Sequence, residues 1–99
     1  MTIEIKTTYS DDRKSWQSGK LQIVDGDTIN FYSTSFFGKK KVHITFPAGA
    51  IKTINRHSFF SSRVDIQLAN GRGVIDTIYF SGDNEKVEKL LRKIAHNHV

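Results

Sequence analysis

The side chains that could do chemistry in this chain are four histidines and a few short charged or aromatic clusters. His96 and His98 are two positions apart, so on a helix they would point in different directions. His43 and His57 have no carboxylate at the spacing that metal ligands use. Asp25-Gly26-Asp27 lacks the further oxygen ligands of a calcium loop, so we interpret it as a hairpin turn. The sequence therefore predicts no metal site and no cofactor.

Catalytic motifs are also missing from the sequence. The patterns of serine hydrolases, zinc proteases and phosphate-binding loops do not occur. Asn70-Gly71-Arg72-Gly73 contains glycines, but no helix is predicted to start after it, so it does not indicate a phosphate cradle. The chain has no cysteine, which excludes thiolate metal sites and cysteine nucleophiles. We therefore expect a protein that is not an enzyme and has no catalytic residues.

The best candidate for a binding segment is Phe36-Phe37-Gly38-Lys39-Lys40-Lys41. Adjacent aromatic side chains on a loop can insert into a bilayer interface while lysines contact anionic headgroups. The alternative is structural: one phenylalanine packs into the core, and the lysines solvate a turn and protect a sheet edge. Phe59-Phe60 is a second aromatic pair in a predicted turn, and the same two interpretations apply to it.

The elements that must position these residues are seven short strands and one helix. Alternating apolar and polar residues predict strands at 3–9, 20–24, 28–33, 42–46, 50–56, 64–68 and 74–80. Asp25-Gly26 and Asn70-Gly71 are typical of tight hairpin turns, and Pro47 ends the fourth strand. Apolar residues at helical spacing, with acidic residues first and basic residues later, predict a helix over 83–97, capped by Ser81 or Asp83.

Length, charge and connectivity place these elements in one domain, residues 1–99, that is mainly β. Consecutive hairpins imply an antiparallel meander, and seven strands form two packed sheets or a partly open barrel, whose end an amphipathic helix can plug. The net charge of +5 favours acidic partners without selecting one. Neither a signal peptide nor a membrane span is predicted, so we expect a cytoplasmic protein, with peripheral attachment to the inner face of the membrane as the alternative.

This order of elements resembles the pleckstrin-homology (PH) superfold, and more narrowly the GRAM-type and bacterial PH-like domains. Three stretches carry the resemblance: Gly19-Lys20-Leu21-Gln22-Ile23 leading into Ile29-Asn30-Phe31-Tyr32-Ser33; Lys41-Val42-His43-Ile44-Thr45-Phe46-Pro47 running on to Ile51-Lys52-Thr53-Ile54; and Val64-Asp65-Ile66-Gln67-Leu68 followed by a glycine hairpin, a last strand and the helix. The resemblance implies a seven-stranded antiparallel two-sheet barrel capped by a C-terminal helix. It also implies a non-enzymatic platform for lipids, peptides or proteins.

One departure from the PH pattern concerns phosphoinositides. Members that bind them typically have basic residues around the first hairpin, in Lys-x-Arg-like spacing. Here the nearest stretch is Asp11-Asp12-Arg13-Lys14, where two carboxylates accompany the two bases. This departure argues against a phosphoinositide-specific pocket.

Loops 10–19 and 34–41 are predicted to lie at the same end of the sheet, because alternate loops of a meander do so. In PH-like domains this rim, together with the turn between strands 6 and 7, is the usual ligand end. The candidate binding residues on this rim are Arg13, Lys14, Trp16, Phe36, Phe37, Lys39, Lys40, Lys41 and Arg72. The leading hypothesis is a stand-alone adaptor or inhibitor that binds another protein through the rim. The alternatives are peripheral binding to anionic lipid, binding to nucleic acid, and a homodimer formed through an edge strand.

Overall fold

The computed structural model describes residues 2–57, 62–69 and 75–96. It contains seven strands, one short 3₁₀ turn and one α-helix: β1 (Ile3–Ser10), β2 (Gln17–Val24), β3 (Thr28–Thr34), β4 (Lys40–Pro47), the 3₁₀ turn (Ala48–Ala50), β5 (Ile51–His57), β6 (Arg63–Ala69), β7 (Ile75–Ser81) and α1 (Asn84–His96). The predictions for Phe59-Phe60, Asn70-Gly71 and Arg72 lie outside the described residues. The predicted antiparallel strands and C-terminal helix are confirmed, with their ends shifted by one to three residues.

The seven strands form one antiparallel ladder in the order β4-β3-β2-β1-β7-β6-β5. Strand β1 pairs with β2 from Ile3 to Tyr9, but it pairs with β7 only from Thr8 to Ser10. The short second pairing joins a four-stranded half to a three-stranded half. This arrangement agrees with the predicted two-sheet barrel, and β1 is the strand that belongs to both halves.

The β2–β3 hairpin forms where the sequence predicts it. Asp25 and Gly26 both have positive φ, 54° and 77°, as a type I′ turn requires. The turn is closed by the Asp27 amide, which donates to the Val24 carbonyl at 3.3 Å. The Asp27 carbonyl in turn accepts from the Ala48 amide at 2.8 Å. The 3₁₀ turn is thereby fixed beside this hairpin, at the start of β3.

Three aromatic rings from different strands fill the centre of the barrel. The ring centroid of Tyr9 lies 5.2 Å from that of Phe31 and 5.7 Å from that of Phe80. Phe31 and Phe80 lie 6.0 Å apart and are fully buried. These separations are within the range in which tilted aromatic pairs attract each other. Both halves of the sheet therefore contribute to a single core.

Gly19 allows β2 to approach β3 more closely than a larger residue would. A Cβ atom at this position would lie 2.1 Å from the Tyr32 carbonyl oxygen and 3.0 Å from the Phe31 ring. The Tyr32 backbone could avoid such a contact only if β2 and β3 moved apart, so the position accepts only glycine without movement of the strands. Gly19 lies near the end of β2 that adjoins the β1–β2 loop.

Helix α1 closes one end of the barrel with Val87, Leu91 and Ile94, which are all buried. Its first residue is Asn84, whose side-chain oxygen accepts from the Gly82 amide at 2.9 Å. The Ser81 hydroxyl does not cap the helix as predicted; it donates instead to the carbonyl of Ser62, directly before β6, at 3.0 Å. Within the described ranges, no helix is long and apolar enough to cross a membrane.

Candidate binding surface

The β1–β2 loop (11–16) is held in shape by its own polar side chains. The Ser10 hydroxyl accepts from the amides of Asp12 and Arg13 at 3.2 and 2.8 Å. The Asp12 carboxylate accepts from the amides of Lys14 and Ser15 at 2.8 and 2.9 Å. These backbone donors, with a further bond from the Ser10 hydroxyl, lower the pKa of Asp12 because they stabilise its charged form. The carboxylate is therefore part of the loop's scaffold.

Arg13 lies beside strand β7. It has a φ of 66°, which is rare for a residue with a side chain. Its guanidinium lies 5.5 Å from the ring centroid of Tyr79, and the guanidinium of Arg63 lies 5.9 Å from the same ring. Tyr79 belongs to β7 and its neighbour Phe80 points into the core, so Tyr79 lies on the outer face. Arg13 thus packs against the three-stranded half.

The β3–β4 turn (35–39) is closed mainly by its backbone. The Gly38 amide donates to the Ser35 carbonyl at 2.9 Å, and the Ser35 amide donates to the Lys39 carbonyl at 2.8 Å. The Lys39 amide also donates to the Ser35 hydroxyl at 3.1 Å. Gly38 has a φ of 81°, a conformation that glycine adopts without strain. Phe36 and Phe37 occupy the two central positions of the turn.

Both phenylalanines of this turn point into solvent. Phe36 is 98% exposed and Phe37 is 85% exposed. Their rings contact each other edge to face, with centroids 5.6 Å apart and an interplanar angle of 88°. The structural alternative, in which one of the pair packs into the core, is therefore wrong. The turn presents an apolar tip that the fold does not use.

The lysines after the tip lie on the first residues of β4 rather than all in the turn, since β4 begins at Lys40. The Lys40 ammonium lies 4.9 Å from the ring centroid of Tyr32, a cation–π distance. The Tyr32 hydroxyl donates to the Glu4 carboxylate, and this bond raises the pKa of Tyr32. Lys39 and Lys41 make no ion pair with the residues that the structure describes, so their charges face solvent.

The β1–β2 loop and the β3–β4 turn lie at the same end of the sheet, because β1 and β3 both run toward it. The two segments nevertheless present different surfaces. Arg13 packs against Tyr79 in β7, whereas Lys40 packs against Tyr32 in β3. Trp16, at the end of the loop, is 38% exposed. The phenylalanine pair and the lysines that follow it form one continuous surface at the β3–β4 turn and the start of β4.

The mouth of the barrel at this end contains a cavity of about 540 Å³, lined in part by Tyr9, Asp11, Ile44 and Asp76. Burial, and to a lesser degree the charge of Asp11, raise the pKa of Tyr9. Tyr79 also lines the cavity, so the guanidinium of Arg13 lies near the carboxylates of Asp11 and Asp76, and the charges at the mouth are mixed.

Metal binding finds no support in residues 2–57, 62–69 and 75–96. No group of three or more histidine, aspartate or glutamate side chains is close enough there to hold an ion. Two of the histidines have other partners: Nε2 of His57 lies 3.1 Å from the Asp65 carboxylate, and Nε2 of His43 lies 2.7 Å from the Ser33 hydroxyl.

Comparison with known proteins decides the fold. No protein-family model matches the sequence, and no curated protein matches it. Nine chains among the solved structures do match. One of them is the crystal structure of the Slm1-PH domain in complex with phosphoserine, with a TM-score of 0.58 over 97% of this chain and 90% of that chain, at 15% sequence identity. The chain has the pleckstrin-homology fold.

At this level of identity, the PH fold is shown but the ligand is not carried over. The narrower resemblance to GRAM-type and bacterial PH-like domains stays a prediction. The role of the rim residues also stays a prediction, since the comparisons concern the fold and not the surface of this chain.

Sequence reasoning missed several contacts of this PH fold that join residues far apart in the chain. The guanidinium of Arg92, on helix α1, donates to the Ile54 carbonyl of β5 at 2.6 Å. The bond from Tyr32 to Glu4 joins residues of two non-adjacent strands. Only the register of the strands brings these partners together, and no local pattern in the sequence signals them.

Proposed function

We propose that this PH-fold chain is a non-enzymatic binding module that attaches to anionic membrane surfaces through the β3–β4 turn. The observation that carries the proposal is the exposure of both phenylalanines, 98% for Phe36 and 85% for Phe37. A soluble domain has no structural reason to hold two adjacent aromatic rings in water on a well-formed turn. Three lysines, at 39–41, follow directly.

The energies are sufficient for reversible attachment. Removing a phenylalanine side chain from water stabilises by about 1.5–3 kcal/mol. A lysine near an anionic leaflet contributes about 1 kcal/mol. Two rings and three lysines therefore supply about 6–9 kcal/mol before the cost of association is subtracted. Such a module would bind peripherally and leave again, and it would need no membrane-spanning segment.

The shape of the turn favours a membrane over a protein as its partner. A stable protein interface buries about 800 Å² on each side, which requires a broad complementary surface. The turn has only two apolar residues, and they project from a convex tip. A bilayer interface can accept such a tip without matching its shape.

A protein partner remains the second candidate, for one specific reason. The two rings form an edge-to-face pair with centroids 5.6 Å apart, on a turn that backbone hydrogen bonds hold in shape. Preorganised aromatic side chains are typical anchors of protein interfaces. In that case the chain would act as an adaptor or inhibitor, and its binding would survive moderate salt, since buried aromatic rings rather than charges would carry it.

Co-sedimentation with liposomes tests the proposal. The chain should sediment with phosphatidylserine-containing vesicles and not with phosphatidylcholine vesicles at low salt, and less at physiological salt. The double variant Phe36→Ala/Phe37→Ala should bind roughly 100-fold more weakly, because each 1.4 kcal/mol is a factor of ten in affinity. The triple variant Lys39→Ala/Lys40→Ala/Lys41→Ala should lose the preference for anionic vesicles.

A charge-matched control separates the turn from net charge. Lys6→Ala/Lys20→Ala/Lys86→Ala removes the same charge from exposed positions elsewhere, and it should bind much better than the turn variant. Equal losses in the two triple variants would show non-specific attraction and contradict the proposal. Absence of sedimentation under every condition would also contradict it and would favour the protein partner.

A further inference from the structure

A second surface is the outer face of the four-stranded half of the barrel, formed by β1 to β4. Ile5 packs against the core, and Leu21 and Phe31 belong to it. Since successive side chains of a strand point to opposite faces, the residues next to these three point outward. Helix α1 packs mainly against β5, β6, β7 and the 3₁₀ turn. The helix therefore leaves the outer face of β1 to β4 uncovered, and Lys6 and Lys20 are exposed there.

Two lysines lie directly opposite each other on this face. Lys6 of β1 pairs in register with Lys20 of β2, and Lys20 pairs with Tyr32 of β3. Neither lysine has an ion-pair partner among the residues that the structure describes. Like charges at opposite positions of two antiparallel strands destabilise the pairing of the strands. Stability of the fold therefore gives no reason for this lysine pair.

Lys40 brings a third ammonium group to the same place. Its Nζ lies 4.9 Å from the ring centroid of Tyr32, which is the register partner of Lys20. Tyr32 is only 5% exposed although it is not part of the core, so its ring lies on the outer side and is covered in part by Lys40. The Tyr32 hydroxyl donates to Glu4, the one acidic residue of β1 to β4. Three lysines thus outnumber one carboxylate, and the face is positively charged.

The neighbouring row of side chains on this face is polar. Gln22, Asn30 and Thr45 follow Glu4 in register across the four strands. The Asn30 side-chain nitrogen donates to the Gln22 side-chain oxygen at 3.5 Å, and the Thr45 hydroxyl donates to the Asn30 side-chain oxygen. Val42, which pairs with Tyr32 and is 55% exposed, is the one exposed large apolar side chain in the two rows. The face therefore offers ammonium groups, amides and a hydroxyl, with almost no apolar surface.

We propose that this outer face binds the phosphate backbone of a nucleic-acid duplex. Ammonium groups attract phosphates and release their counterions, and amide and hydroxyl side chains donate to phosphate and sugar oxygens. A single strand fits less well, because the Tyr32 ring is covered and bases would find no aromatic ring to stack on in these rows. An acidic protein would need apolar or aromatic anchors at the centre of the interface, and the two rows supply only Val42. The inference does not depend on membrane binding by the turn.

Fluorescence anisotropy of the full chain with a labelled DNA duplex of about 20 base pairs tests this inference. Because each lysine–phosphate contact contributes about −0.9 to the slope of log K against log salt concentration, three lysines should give a slope of about −3. The double variant Lys6→Gln/Lys20→Gln should reduce the slope to about −1 and weaken binding at least about tenfold at about 50 mM salt. The matched variant Lys52→Gln/Lys93→Gln, which removes the same charge from exposed positions on β5 and α1, should change both much less.

The stability of the unbound chain gives a second measurement. Lys6→Gln/Lys20→Gln should unfold at the same temperature as the wild type or at a higher one at low salt, because the repulsion between the two ammonium groups is gone. The difference should shrink at high salt, which screens exposed charges. A clearly less stable variant would assign the lysine pair to the fold and contradict the inference.

The outcomes are distinguishable from those of the liposome experiment. Phe36→Ala/Phe37→Ala should leave duplex binding unchanged, and Lys6→Gln/Lys20→Gln should leave most of the vesicle binding. Equal losses of duplex binding in the two double-lysine variants would show attraction by net charge alone and overturn the inference. So would tighter binding of single-stranded oligo-dT or of poly-glutamate than of the duplex. Absence of duplex binding up to about 100 µM protein at about 50 mM salt would overturn it as well.

Discussion

The β1–β2 loop and the β3–β4 turn lie at the same end of the barrel, and both are rich in charged and aromatic residues, yet they use their side chains differently. In the β1–β2 loop, Ser10 and Asp12 are occupied by backbone amides of the loop itself. In the β3–β4 turn, hydrogen bonds between backbone groups stabilise most of the turn, and the side chains of Phe36 and Phe37 have no structural role.

This difference shows which residues are available to a partner. A polar side chain that accepts hydrogen bonds from the backbone amides of a loop cannot turn toward a partner without cost, because those amides then lose their hydrogen bonds. An aromatic side chain that is almost completely exposed breaks no contact with the rest of the fold on binding, and it gains by leaving water. Two neighbouring loops of similar composition therefore differ: the polar side chains of the β1–β2 loop are engaged within the fold, whereas the aromatic pair of the β3–β4 turn is left exposed.

Gly19→Ala should have the largest effect on this comparison, because it disturbs both segments. Its Cβ would meet the Tyr32 carbonyl oxygen at 2.1 Å, so β2 and β3 must separate. We expect a loss of about 2–4 kcal/mol in the free energy of unfolding, measured by chemical denaturation. Gly49→Ala is the control, since nothing lies within 4 Å of its added Cβ. Equal stability of the two variants would show that the strands can move apart freely.

Gly38→Ala should affect the β3–β4 turn alone. Its φ of 81° is unfavourable for alanine by about 1–2 kcal/mol, so the turn should change shape and membrane binding should fall. Gly26→Ala, at a φ of 77° in the hairpin at the opposite end, is the matched control. It should cost similar stability in thermal unfolding and leave liposome binding unchanged. Parallel losses of binding in both variants would mean that stability, and not the turn, sets affinity.

Asp12→Ala should have the smallest effect, a modest loss of stability confined to the β1–β2 loop, with liposome binding unchanged. The pKa of Asp12 is lowered in the folded chain, so its contribution is fully present above the ordinary pKa of an aspartate and is lost as the pH falls through the lowered value. The difference in thermal midpoint between wild type and variant should therefore be full at neutral pH and shrink in acid. Asp11→Ala serves as the control, and a loss of liposome binding in Asp12→Ala would contradict the assignment of this loop to structure.

The local elements could be predicted well from the sequence. Alternation of apolar and polar residues, the Asp25-Gly26 turn and the apolar stripe of α1 each depend on neighbours in the chain, and so the pattern is visible without the fold. The candidate site was predicted only in part. Phe36 and Phe37 were selected as candidates from composition, which does not tell an exposed pair from one with a buried member. The structure shows that both are exposed, and their role in binding stays a prediction. Lys40 was placed in the turn, although it begins β4.

The sequence by itself determined the order of strands and helix, their approximate bounds and the absence of any recognisable catalytic motif, because these depend on local chemistry and spacing. Only the tertiary structure decided which charged groups are free. Arg92 is bonded to Ile54 and Asp12 to its own loop, whereas Lys52 and Lys93 have no such partner among the described residues. Whether a side chain is engaged depends on atoms far away in the chain, which meet through strand register and packing.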